Sequence, residues 1–302
     1  MPFDSIVLVK QVPDTKRITG QAMKEDGTVN RSALPAIFNP EDLNALEMAL
    51  QVKDSFGGTV TVLTMGPPPA AEVLREALYR GADRVALLTD RAFAGADTLA
   101  TSYVLAKGIE KCGRYDLIFC GRQAIDGDTA QIGPQVAGRL DIAQLTYVQA
   151  IVELTQNSIC VRREIEGGAE TVQAPLPTLL TVVGTANVPR PPSVKRLMQY
   201  KKARTATEII RLLNAPGTRD EKSAAACQQA VEDARRKGLL IPEWDIAALG
   251  AEPQRCGFAG SPTRVVKIDS VVLTATEHKR IDVSEQGLRQ LINELTARHT
   301  LD

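Results

Sequence analysis

Aromatic side chains are scarce in this sequence: 4% of 302 residues, with one tryptophan, Trp244. That scarcity argues against a stacking platform for single-stranded nucleic acid. Neither sign of charge is in excess, with 36 Lys and Arg against 36 Asp and Glu. Bulk attraction to nucleic acid or to an anionic membrane surface is therefore not expected. Histidine occurs twice, at His278 and His299, which leaves little material for a His-based catalytic triad. The five cysteines (Cys112, Cys120, Cys160, Cys227, Cys256) are widely spaced and never form a C-x-x-C pair. Zinc, iron–sulfur and disulfide scaffolds are thus unsupported, no metal site is expected, and a reducing compartment fits. No apolar run approaches the ~18 residues needed to span a bilayer. Asp4 leads straight into Ile6-Val7-Leu8-Val9 with no signal-peptide pattern. The expectation is a cytoplasmic chain with no membrane span. Internal repeats and low-complexity tracts are also absent.

What is present is an ordinary core-forming composition, 44% apolar and 24% charged. Strand-like runs at residues 5–9, 59–64, 84–88 and 116–120 alternate with helical spacing after Pro40, from 69 to 81, and from 96 to 112. In the last stretch Leu99, Val104, Leu105 and Ile109 share a face. This alternation predicts an α/β fold with a mainly parallel sheet, whose ligands bind at the carboxyl ends of the strands. From about Leu145 the texture changes. Residues 147–154, 158–165 and 178–183 read as strands, with Gly167-Gly168 as a hairpin turn, so the C-terminal portion is partly antiparallel. Asn187-Val188-Pro189-Arg190-Pro191-Pro192 predicts a stiff, exposed loop. Residues 205–238 predict two helical pieces broken at Asn214-Ala215-Pro216-Gly217. Nine basic and five acidic residues fall between 201 and 238. Residues 284–298 predict a last amphipathic helix with Leu288, Leu291, Ile292 and Leu295 on one stripe.

Four constellations sit after strands or at helix starts. Asn39-Pro40-Glu41-Asp42 reads as a well-built helix start: a capping Asn, Pro at the first position, and acids in the first turn. Two carboxylates there would repel a phosphate, so a nucleotide at this corner would present its ribose or adenine amino group. Gly121-Arg122-Gln123-Ala124-Ile125-Asp126-Gly127-Asp128-Thr129-Ala130-Gln131 follows a strand and precedes a helix. Gly127 would allow close backbone approach, and the helix start would offer N–H groups to an anion. The structural alternative is a capping box formed by Asp128 and Gln131. Neither a Walker loop nor G-x-G-x-x-G is present. In Gly95-Ala96-Asp97-Thr98-Leu99-Ala100-Thr101-Ser102, the hydroxyls of Thr98, Thr101 and Ser102 fall on one face of the first helical turn. They could meet a phosphate, or Asp97 could simply cap. Met65-Gly66-Pro67-Pro68 closes a strand at the same sheet edge.

With Val9-Lys10-Gln11-Val12-Pro13-Asp14-Thr15, Thr64-Met65-Gly66-Pro67, Glu164-Ile165-Glu166-Gly167-Gly168, Leu176-Pro177 and Gly260-Ser261-Pro262-Thr263-Arg264-Val265-Val266, these motifs resemble the β subunit of electron-transfer flavoproteins. The resemblance implies an adenine-nucleotide-binding α/β domain over residues 1–190. Residues 191–302 would carry a partner-docking loop, a helical insertion at about 205–238, and an extension packing on an α subunit. It implies nucleotide contacts from Leu8, Val9 and Lys10, from residues 39–42, Met65, Gly66, Asp97, Thr98, Thr101 and Ser102, and from residues 121–131 with Ile132. No side chain need act as acid or base, because flavin carries the redox chemistry. The sequence is most similar to the electron-bifurcating branch, in which this pocket holds the AMP half of an FAD that accepts hydride from NADH. The housekeeping branch holds structural AMP instead. An adenylate-forming α/β enzyme is a further alternative, disfavoured by the missing glycine-rich pyrophosphate loop. Implied partners are the α subunit, an acyl-CoA dehydrogenase-like or other flavin dehydrogenase, and ferredoxin or flavodoxin. By alignment, docking to the dehydrogenase falls on Val194, with Pro191 and Leu197 beside it. The insertion is either a helical hairpin packed on its own subunit or an assembly element.

Overall fold

A computed structural model describes residues 2–14, 34–214, 224–263 and 280–297. The expected break at residues 215–217 lies outside them, as do Thr15, Arg264, Val265, Val266, His278, Arg298 and His299.

Alternating apolar residues build the central strands. In β1 (Ser5–Leu8), Val7 faces one cluster while Ile6 and Leu8 face the other. Helices therefore cover both faces. α1 (Pro40–Phe56) and α2 (Ala71–Arg80) pack on the Val7 side; α3 (Thr98–Cys112) and α4 (Ile132–Leu140) pack on the other. The remaining central strands are β4 (Val60–Met65), β5 (Arg84–Leu88) and β6 (Leu117–Gly121). A small antiparallel pair, β2 (Gln11–Pro13) with β3 (Ala36–Phe38), lies between β1 and α1. Strands of three residues are too short for a periodicity to show.

Beyond α4 come β7 (Ala143–Leu154), β8 (Ser158–Ile165), β9 (Gly168–Pro175) and β10 (Thr178–Val182). β7, β8 and β9 pair antiparallel, while β10 inserts parallel between β6 and β7. Gly168 pairs with Ile165 as the first residue of β9, so the hairpin turns at Glu166-Gly167, one residue earlier than expected. β9 itself was not predicted. It is mostly exposed and mixes Glu, Gln and Pro, so it carries little strand signal.

After the proline-rich loop, α5 (Val194–Tyr200) shows that the expected loop ends in a helix. β11 (Arg204–Thr205), α6 (Ala206–Leu213), α7 (Ala224–Arg236), β12 (Leu240–Ile241), β13 (Glu243–Trp244), α8 (Ile246–Leu249) and α9 (Glu285–Ala297) complete the described elements. The sheet order is β13-β5-β4-β1-β6-β10-β7-β8-β9, so residues from beyond 191 join the same sheet as the first half. The chain steps from β1 outward through β4 to β5, then returns to the opposite side of β1 as β6. The order thus reverses between β1 and β6, where an open α/β sheet leaves its ligand crevice.

Candidate functional site

The crevice between the ends of β1 and β6 is closed underneath by one side chain, Asp42, in the first turn of α1. Its Oδ2 accepts from the N–H of Lys10, just past β1, and its Oδ1 from the N–H of Gly121, the last residue of β6, at 2.8 and 2.9 Å. Burial pushes this carboxyl up to about 7, overriding the opposing effect of those two N–H groups. The thiol of Cys120 beside it is fully buried and pushed up by burial and by the Asp42 charge.

Asn39 and Glu41 extend the clamp. Asn39 makes no side-chain cap; its amide donates to Gln123 O at 2.9 Å and accepts from Ile125 N at 3.1 Å. Glu41 accepts from Gln123 N and pairs with the Arg122 guanidinium, both at 2.9 Å. The expectation of a plain helix start is therefore corrected. Pro40 does occupy the first position, but Asn39, Glu41 and Asp42 use their side chains to hold the 121–125 segment. Partners some eighty residues apart leave no local pattern to read. Gly121 is a glycine for the same reason: a Cβ there would lie 2.6 Å from Asp42 Oδ1.

Above this floor the loop opens outward. Lys10 and Asp126 pair across its mouth at 2.7 Å. Gly127 has nothing within 4 Å of where a Cβ would stand, so the approach to its backbone is free. Asp128 and Ala130 adopt left-handed φ of 47° and 53°, a conformation that costs energy in non-glycine residues and collects at functional loops. Gln123 Nε2 donates to Asp128 Oδ1 at 3.0 Å. Thr129 is exposed and Ala130 half-buried.

The expected capping box at Asp128 and Gln131 does not form. Gln131 occupies the N-cap of α4 without a side-chain bond, because its Oε1 accepts from Thr98 Oγ1 instead at 2.8 Å. The N–H groups of Ile132 and Gly133 at the start of α4 thus meet no side-chain cap, while Pro134 carries no N–H. Gln135 Nε2 also reaches Thr98 Oγ1, while its Oε1 is buried and unpaired, an acceptor beside the loop.

The hydroxyl face of α3 is only partly available. Asp97 caps the helix through Ala100 N and also holds Thr263 N; these bonds outweigh burial and keep its carboxyl below the ordinary value. Ser102 is fully buried, donates to Leu99 O and accepts from Arg139 Nε. Its expected phosphate contact is corrected to a structural one. Thr101 is half-buried, and Leu99, expected on the apolar face, is 41% exposed. At the neighbouring strand ends Leu8 and Val9 are buried, whereas Met65 and Gly66 are half-buried at the edge.

Tyr147 escaped the sequence reading. It sits in β7 with φ 58°, where β7 carries an extra residue opposite Thr181 of β10, and the Arg122 guanidinium stands 5.8 Å from its ring centre. A bulge that turns a residue toward a site leaves no local signature.

The docking candidates lie on a separate flank. Val194 is 77% exposed; Leu197 and Pro191 are exposed beside it. Their backbone is nonetheless fastened. Arg190 pairs with Glu47 and Asp54 on α1, Asn187 exchanges hydrogen bonds with Asn44, and Arg196 donates to Leu78 O and Ala82 O at the end of α2. The insertion is also tied to its own subunit. Glu208 closes a capping box with Thr205 and binds the buried Arg75 of α2 at 2.9 Å, while Thr207 bonds Glu243. Ile209 and Leu213 are half-buried, but Ile210 and Leu212 remain exposed.

Residues 26–210 match the electron transfer flavoprotein domain. The chain is 39% identical to electron transfer flavoprotein subunit beta of Thermoanaerobacterium thermosaccharolyticum, covering 98% of this chain and 99% of that one. It is 40% identical to protein FixA of Sinorhizobium fredii over 96% and 91% of the two chains. It is 42% identical to caffeyl-CoA reductase-Etf complex subunit CarD of Acetobacterium woodii over 87% and 86%.

Proposed function

Since this chain belongs to the electron transfer flavoprotein family as a β subunit, we propose that its crevice holds the AMP half of an FAD. Electrons from NADH then pass through the α subunit to a flavin dehydrogenase of the acyl-CoA dehydrogenase kind, with ferredoxin or flavodoxin as the low-potential acceptor of a bifurcating system. The reading places the complex in the cytoplasm. It assigns residues 1–190 to nucleotide binding and 191–302 to partner contacts. The name of CarD puts that relative in a caffeyl-CoA reductase complex, which supports a CoA-ester-reducing partner.

One observation carries the reading: no side chain caps the N-terminus of α4, which follows the loop holding the unobstructed Gly127 after β6, one of the two strands at the order reversal. Backbone N–H groups at that point suit a phosphate. Residues 121–125, fastened by Asn39, Glu41 and Asp42, suit the adenosine because their backbone is fixed before the ligand arrives. When bound, flavin supplies the redox chemistry. The chain's own residues fix the ligand's position and its electrostatic surroundings.

Structural AMP remains the second reading, favoured by one feature. Ser102 is spent internally and Thr98 is bonded to Gln131 and Gln135, so a second phosphate would have to displace or share those bonds. Purifying the chain with its α subunit and counting nucleotides in an acid extract separates the two. Two FAD per αβ pair and no AMP supports bifurcation; one FAD with one AMP overturns it and leaves nucleotide binding intact.

A further inference from the structure

A second concentration of polar groups lies on the seam of α3 and α4, around Tyr103. Tyr103, buried in α3, carries two guanidinium groups near its ring: Arg255 at 4.1 Å from the centre and Arg139 at 5.6 Å. Arg139 is fastened on one edge. Its Nε donates to Ser102 Oγ and its Nη2 to Leu99 O, both at 2.8 Å. Among the described residues no acceptor meets its Nη1, and no carboxylate forms an ion pair with it. The cations nearby are otherwise balanced: Arg255 pairs with Glu252 at 3.2 Å and Lys107 with Glu110 at 2.7 Å. Asp97 is occupied by Ala100 N and Thr263 N. Arg139 is the uncompensated charge, and burial, then the charge of Arg255, hold it below its ordinary value.

Two like charges are thus kept together at the wall of a cleft of about 550 Å³. Leu99 and Pro262 give it apolar walls, Gln254 adds an amide, and Arg139 and Arg255 line one side. Glu252 balances Arg255 but no carboxylate among the described residues balances Arg139, and planar guanidinium forks match the tetrahedral oxygens of phosphate. The volume falls within the range of small-molecule sites.

We propose that this cleft is a second, phosphate-binding site, taking the phosphate group of a small molecule between Arg139 and Arg255. The cleft adjoins the start of α3 through Leu99 and Ser261, and the proposal rests on its own two cations rather than on which nucleotide the crevice holds. Arg139 is the anchoring cation and Arg255 the mobile one, since only the latter is half exposed and able to swing from Glu252.

The probe is inorganic phosphate, titrated calorimetrically into the full chain in complex with its α subunit. Arg139→Gln and Arg255→Gln should each weaken one class of binding by about tenfold or more, as expected for charge-assisted bonds. Gly127→Val, at the crevice, should leave that class unchanged. Arg139 also braces Ser102, so a folding defect in its variant would shift the weight to Arg255→Gln, whose side chain is exposed. Phosphate binding unaltered by Arg255→Gln, or abolished wholly by Gly127→Val, overturns the proposal. No phosphate binding by the wild type, with Arg255→Glu blocking assembly with the α subunit, would assign the cleft to a partner carboxylate and overturn it equally.

Discussion

The crevice and the α5–α6 flank use polar and apolar side chains in opposite ways. At the crevice, Asn39, Glu41, Asp42, Thr98 and Gln131 all bond to other segments of the same chain. Backbone positions such as Gly127 are left open. On the flank the fastenings run along the inner side, through Arg190, Arg196 and Arg75. Val194, Met198, Ile210 and Leu212 are left exposed on the outside. A site that presents fixed backbone donors suits a small charged ligand. A surface that presents side chains from a braced backbone suits a protein, because little ordering entropy remains to be lost.

The largest effect should come from removing the crevice floor. Asp42→Ala leaves two buried N–H groups unpaired and should lower unfolding free energy by about 3 kcal/mol, measured by urea titration, with nucleotide lost as well. Asp42→Asn tests its protonation. Burial raises the folded carboxyl from 3.8 to about 7, so the folded state binds the proton more tightly than the unfolded one. That contribution is full below about pH 4 and is lost as pH rises through about 7. The stability gap between wild type and Asp42→Asn should therefore narrow from pH 5 to pH 8. A gap that stays constant from pH 5 to pH 8 would mean Asp42 is held ionised by its two donors.

Gly127→Val should separate ligand from fold. Nucleotide content should fall to roughly a tenth, while the unfolding free energy of the nucleotide-free chain changes by less than about 0.5 kcal/mol, because the added side chain points into open space. Full nucleotide content in a folded variant would remove the loop from the site.

Val194→Asp should act on the flank alone. Electron transfer to the dehydrogenase, followed by stopped flow, should slow by about tenfold with flavin content unchanged. Unchanged transfer would move docking to another surface. The smallest effect belongs to Leu212→Asp. Folding should change by less than about 0.5 kcal/mol, and any change should appear only as weaker co-purification at raised salt. Loss of folding instead would show that Leu212 packs on its own subunit.

How much of this was legible follows from the range of the interactions. β1, β4, β5 and β6 and the helices between them announced themselves by apolar spacing, and with them the ends of the strands where a ligand belongs. Residues 121–131 were legible as a loop between a strand and a helix because a strand, a glycine and a helix start follow in sequence. The role of Asn39 was not. An asparagine before Pro-Glu-Asp satisfies every local rule for a cap, yet its amide is claimed by Gln123 and Ile125. The same competition took Gln131 from the expected capping box to Thr98, and Ser102 from the phosphate face to Arg139. Short elements such as β2, β3 and α5 offer too few residues for a period to show. The insertion was legible as two helices, but its attachment through Arg75 and Glu208 joins residues on α2 and α6 that no local pattern links.

The pairing of β13 with β5 has a consequence for how the protein is made. Leu87 N bonds Pro242 O, and Thr89 N bonds Trp244 O, so the β5 edge is completed by residues that emerge from the ribosome long after it. During that interval the nascent sheet presents a row of unpaired peptide groups along an apolar strand, Val85-Ala86-Leu87-Leu88. α5, α6 and α7 must all be synthesised before the edge can close. A chain stalled or truncated before Glu243 would keep that edge open as a template for other copies, which makes the late dipeptide Glu243-Trp244 a safeguard against self-association during synthesis.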